Sequence, residues 1–90
     1  MKFEPLTLQG AYLIHLDRLE DDRGFFARAW CEHELADQGL NTRIAQANVS
    51  FNKTKGTLRG MHYQAPPYAE VKLVRCTRGA IYDVIIDIRP

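Results

Sequence analysis

Several things are scarce in this 90-residue chain, and each scarcity narrows what it can be. It has only two cysteines, Cys31 and Cys76, far apart and with no C-x-x-C pair. That excludes a disulfide scaffold and a cysteine-rich zinc module, and it predicts two buried or half-buried free thiols in a reducing compartment. An excess of charge of either sign is also missing, because twelve basic and eleven acidic residues leave a net charge of +1. There is no basic field to draw in nucleic acid and no acidic tail. Nor is there a long apolar run. The best candidate, "AIYDVIIDI", holds two aspartates and falls well short of the ~18 residues a membrane helix needs. At the N-terminus Glu4 and Pro5 break "MKFEPLTLQG" before a leader-like apolar stretch can form. The chain reads as cytoplasmic, with no nucleic-acid and no membrane partner.

What is present fits one small globular domain covering residues 1–90. Apolar residues make up 46% and charged residues 26%, enough for a modest core and too apolar for a disordered chain. The patterning is mostly of short extended segments. "AYLIHL" (11–16) has β-type composition and runs into the turn signal "EDDRG", and "FFARAW" (25–30) is aromatic-rich and extended. "CEHELADQGL" (31–40) is the one helix candidate, two to three turns long, with Gly39 where a left-handed C-terminal cap belongs. "RIAQANVSF" (43–51) alternates, with Ala45, Ala47, Val49 and Phe51 on one side and Gln46, Asn48 and Ser50 on the other. After the polar loop "NKTKG" comes "TLRGMHYQ" (57–64), ended by the prolines of "APPY". "VKLVRCT" (71–77) and "AIYDVIIDI" (80–88), joined at "RG", read as the strongest strand pair. The expected class is mainly β, antiparallel, with one short helix.

The polar side of 43–51 has two readings at this stage. Amides and a small hydroxyl suit the lining of a ligand cavity, and they also suit a partly exposed sheet face. His62 is similarly ambiguous. A single histidine in a strand is commonly a hydrogen-bonded or half-exposed residue, yet its neutral-range titration makes it a candidate base. Arg59 and Lys72 stand near it in sequence, and cross-strand pairing would bring Lys72 toward it. Strict alternation puts Arg59 and His62 on opposite faces. For both to reach one site the backbone must kink or bulge at Gly60. A metal site is not supported. Gln64 stands where H-x-H would need a second histidine, and His62 with Glu70, like Cys31 with His33, is too few ligands.

The stretches "DDRGFFAR", "QANVS", "GTLRGMHYQ" and "KLVRCTRGAIYDVIIDIR" resemble, in order and spacing, the dTDP-4-dehydrorhamnose 3,5-epimerase family, from about residue 12 to the C-terminus. The resemblance implies a cupin-type double-stranded β-helix (jelly roll), a homodimer, a dTDP-sugar substrate and no cofactor or metal. It implies a nucleotide-sugar epimerase inverting C3, C5 or both in dTDP-4-keto-6-deoxyglucose. Carried over by motif, His62 is the general base and Lys72 the cation at the developing oxyanion. Arg23 holds the diphosphate, Arg59 is a second cationic contact, and Phe26, Gln46 and Asn48 contact the nucleotide sugar. Arg28 stands where many members carry a glutamate.

The chain ends at "DIRP", roughly halfway along the family's usual length. The expectation is therefore a domain truncated at its C-terminus, with the tyrosine acid and the histidine's acidic partner in the missing half. Tyr12, Tyr63, Tyr68 and Tyr82 do not match that acid. The alternative expectation is a catalytically inactive nucleotide-sugar-binding or structural cupin remnant.

Overall fold

The computed structural model describes all residues, Met1–Pro90. It divides into two units, Met1–Thr42 with Asp83–Pro90, and Arg43–Tyr82.

The first unit contains every regular element. Strand β1 (Lys2–Pro5) pairs antiparallel with β2 (Tyr12–His15), with Phe3 opposite Ile14 and Glu4 opposite Leu13. The loop between them is closed by the Leu6 N–H donating to the Ala11 carbonyl at 2.9 Å. Alternation along β2 half-buries Tyr12 and Ile14 and leaves Leu13 and His15 exposed. Diagonal contacts reinforce the pair on both faces. Phe3 meets Tyr12 edge to face at 6.3 Å, and His15 Nε2 lies 2.7 Å from Glu4 Oε2. The strand expected at 11–16 is thus present, whereas β1 went unread because Pro5 and Glu4 disguise it. Proline is tolerated there because it ends an edge strand.

A second hairpin joins β3 (Leu19–Asp21) to β4 (Gly24–Phe26) through the two-residue turn Asp22-Arg23, as the "EDDRG" signal requires. The Asp21 carboxylate accepts the Arg23 backbone N–H at 2.8 Å, an Asx turn that stiffens the bend. Pairing stops at Phe26, so the extended stretch 25–30 contributes only two residues to a ladder.

Helix α1 (Glu32–Asp37) is shorter than the 31–40 expected. Its end is specified closely. Gly39 takes φ +73°, its N–H donates to Ala36 O at 2.9 Å, and the Leu40 N–H donates to Leu35 O at 3.0 Å. This is the paired bond pattern of a Schellman stop, which glycine permits because it has no Cβ to clash. Glu32 and Glu34 in the first turn complement the helix dipole. Leu35 is the one buried apolar side chain.

In the second unit the sequence expectation fails in one respect and holds in another. The turns form where polar and proline residues predicted them, with Thr57 N–H donating to Thr54 O at 3.3 Å and Tyr68 N–H to Ala65 O at 2.9 Å. The strands between them do not. Residues 43–51, 57–64 and 71–77 form no ladder, and neither does 80–88, most of which belongs to the first unit. An extended run becomes a strand only when a partner in register satisfies its backbone and its apolar side is covered. Here that side is open, with Val49 97% and Phe51 76% exposed. For the same reason Cys76, expected to be buried or half-buried, is exposed, while Cys31 is half-buried as expected. The small antiparallel sheets and the short helix accord with the mainly β class. No helix is long and apolar enough to cross a membrane.

Because Leu35 alone is buried, Leu35→Ala should be the most damaging truncation of an aliphatic side chain in the first unit. We expect a loss of about 2 kcal/mol or more, read as a lower urea midpoint of the helical circular-dichroism signal. A comparable change at exposed Leu19 should leave the midpoint within error.

Candidate functional site

The residues singled out from the sequence fall in both units, and each unit arranges its own set. In the first, the β3–β4 hairpin presents Arg23 at its tip and Phe26 at its end. Both line one open hollow of about 240 Å³, together with Asp21, Gly24 and Phe25. The Arg23 guanidinium is tied to Asp21, its terminal nitrogen 2.6 Å from Oδ2 and Nε 3.3 Å from the same oxygen. This pairing holds the Asp21 carboxyl below the usual aspartate range and pushes Arg23 up. A neighbouring hollow of about 310 Å³ is lined by Leu19, Phe26 and Arg28 among others. There Arg28 donates to Glu34 at 3.1 Å, and the chain's terminal amine pairs with the same carboxylate at 2.9 Å. The positive charge at position 28 is therefore balanced within the chain.

In the second unit the alternation of 43–51 survives locally although the strand does not. Asn48 Nδ2 donates to Gln46 Oε1 at 3.3 Å, which places the two amides on one side of the backbone. Arg59 donates through Nε to Asn52 Oδ1 and, from a terminal nitrogen, to the Phe51 carbonyl at 3.3 Å, so its fork closes back onto the turn that precedes it. Gly60 takes φ +111°, a conformation in the left-handed region that glycine allows, but the strand in which a kink or bulge was expected there does not form. A Cβ on Gly60 would sit 3.7 Å from His62 Nδ1, showing how closely the ring returns to this glycine. His62 is exposed and makes no hydrogen bond or ion pair with Arg59 or Lys72. The cross-strand pairing expected to bring Lys72 toward His62 does not form, since no ladder joins their segments. Lys72 Nζ instead pairs with Glu70 Oε1 at 3.0 Å. No three His, Cys, Asp or Glu side chains gather at metal-binding distance.

The residues that sequence reasoning missed are the partners, Asp21, Asn52 and Glu70. For two of them a signal existed. Asp21–Arg23, Glu70–Lys72 and Asp87–Arg89 all place an acid two residues before a base. Opposite charges two residues apart find each other without tertiary help, across the hairpin turn at Arg23 and in the irregular segments 70–72 and 87–89 alike.

Comparison with known proteins gives a consistent picture. The family described as dTDP-4-dehydrorhamnose 3,5-epimerase matches residues 5–90. A Sinorhizobium fredii protein named dTDP-4-dehydrorhamnose 3,5-epimerase is 41% identical over 93 residues, covering 99% of this chain and 46% of its own length. An Escherichia coli protein of the same name is 47% identical over 74 residues, 78% of this chain and 38% of its own. A Streptomyces niveus dTDP-4-dehydrorhamnose 3-epimerase is 36% identical over 90 residues, 99% of this chain and 43% of its own. The chain spans about half the length, or somewhat less, of the curated relatives it matches. No solved structure matches.

The ion pairs fix a pH dependence. A carboxyl lowered in the folded state contributes stability that is complete above its unfolded value and is lost as pH falls through the folded one. Carboxyl NMR titration should place Asp21 below 3.8 and Asp87, beside Arg89, at about 2. Arg23→Ala should return Asp21 toward 3.8 without moving Asp87, and Arg89→Ala should do the reverse.

Proposed function

Because the chain belongs to the dTDP-4-dehydrorhamnose 3,5-epimerase family, we propose that it acts as a nucleotide-sugar epimerase on dTDP-4-keto-6-deoxyglucose, inverting C3, C5 or both. The match over residues 5–90 carries this reading, and the motif residues within it supply the chemistry. Protons on C3 and C5 are both adjacent to the C4 ketone. Removing either leaves an enolate whose charge rests on the C4 oxygen, so a base and an oxyanion partner are both required.

His62 is the base. Its exposed, unpartnered ring is free to take the proton, and an imidazole is a common general base. Lys72 is the cation that meets the developing oxyanion, exchanging its contact with Glu70 for the enolate oxygen. Arg23, with a forked guanidinium at a hairpin tip, binds the diphosphate, and Arg59 adds a second cationic contact. Phe26 offers a ring face beside Arg23, and the co-facial amides of Gln46 and Asn48 bind the nucleotide sugar. Delivery of a proton to the opposite face completes the inversion. We further propose that residues 1–90 are part of one cupin-like jelly-roll domain that works as a homodimer.

The decisive assay is solvent deuterium incorporation into dTDP-4-keto-6-deoxyglucose, followed by NMR. Exchange at C3 or C5 is expected, with His62→Ala lowering its rate by about 10²–10⁴-fold and Lys72→Met by about 10²-fold. Exchange that survives His62→Ala would remove His62 from the role of base. A folded chain that binds the sugar without exchange would make it a binding module instead.

A further inference from the structure

The Arg23 side chain is 90% exposed, yet its guanidinium is not available as it stands. Nε and a terminal nitrogen both contact the carboxylate of Asp21, at 3.3 and 2.6 Å to Oδ2, and Nε also reaches Oδ1 at 3.4 Å. This is the edge of the fork that a phosphate oxygen pair would occupy. Asp21 lies in the same hollow as Phe26, so its charge faces any anion that enters there. Asp22, the adjacent acid, makes no hydrogen bond or ion pair with the arginine.

We propose that Asp21 is a built-in counter-ion for Arg23, occupying the guanidinium fork when the hollow is empty and giving it up to the phosphate oxygens of an incoming nucleoside diphosphate. The inference rests on the reading of Arg23 as the diphosphate contact. Two consequences follow from the geometry. The counter-ion tethers the exposed Arg23 guanidinium to the bend set by the Asx turn. It also makes the site selective, since a ligand must offer more than one anionic oxygen in fork geometry to displace a carboxylate already in place. A monoanion with a single exposed oxygen competes poorly, whereas a diphosphate competes well.

The proposal makes an unusual demand, that removing an acidic residue should improve ligand binding. Asp21→Asn is the informative variant because an asparagine Oδ1 still accepts the Arg23 backbone N–H, so the turn is retained while the charge is lost. Binding of thymidine diphosphate to the 90-residue chain would be measured by isothermal titration calorimetry. NMR shifts of residues 19–26 would check that the hairpin persists. Asp21→Asn is expected to tighten binding about two- to fivefold, the scale of releasing one exposed ion pair. Asp22→Asn removes the same charge one residue away and should leave affinity within error of the parent. Arg23→Ala should weaken binding about tenfold or more, and in that background Asp21→Asn should have no further effect.

The outcomes separate the two readings. If Arg23→Ala leaves affinity unchanged, or the parent does not bind, Arg23 is not the diphosphate contact and both readings fall. If Arg23→Ala weakens binding but Asp21→Asn also weakens it, or acts no differently from Asp22→Asn, Arg23 keeps its role and the counter-ion proposal is overturned.

Discussion

An extended backbone carries a row of N–H and C=O groups that only another extended backbone can answer in register, and most features of this molecule follow from where that answer is available. Residues 2–5 find it in 12–15, and 19–21 find it in 24–26, because in each case a short local turn brings the partner back within a few residues. Both hairpins are therefore self-sufficient in their pairing, and the first half-buries one face. From Arg43 onward the same extended composition meets no ladder partner, and the chain holds its turns without its strands. Turns need three or four residues and local chemistry, while strands need a second segment and a covered face.

The same locality governs the charged residues. Where tertiary packing is sparse, an arginine or lysine satisfies itself from an acid close by in the chain. That is why three of the ion pairs span two residues, Asp21–Arg23, Glu70–Lys72 and Asp87–Arg89. Such pairs form readily and are replaced readily, since water and salt screen them and little buried surface holds them. The cations of these pairs are thus held by exposed partners and are not locked into buried networks.

The longer-range contacts are few but informative. The single buried leucine, Leu35, sits on a helix whose end is set by a glycine stop, and the carboxylate of Glu34 gathers both Arg28 and the terminal amine. Arg89 donates to the Gln9 carbonyl at 2.8 Å, tying the end of the chain to the loop of the first hairpin. These are contacts of side chains and termini; the regular elements meet only within each hairpin, β1 with β2 and β3 with β4.

A good deal of this is written in local signals. The turn at 20–24, the glycine stop at Gly39 and the shared side of Gln46 and Asn48 are all read directly, because each depends on residues within four positions of one another. The family was equally legible, since its motifs are contiguous stretches of chain. The partners of Arg59 and Arg28, seven and six residues away, had no such signature and appeared only once the backbone had folded. Whether an alternating run such as 43–51 becomes a strand was likewise decided by tertiary structure alone. Alternation specifies which side chains share a face, but a strand exists only where another segment supplies the hydrogen bonds and the apolar cover.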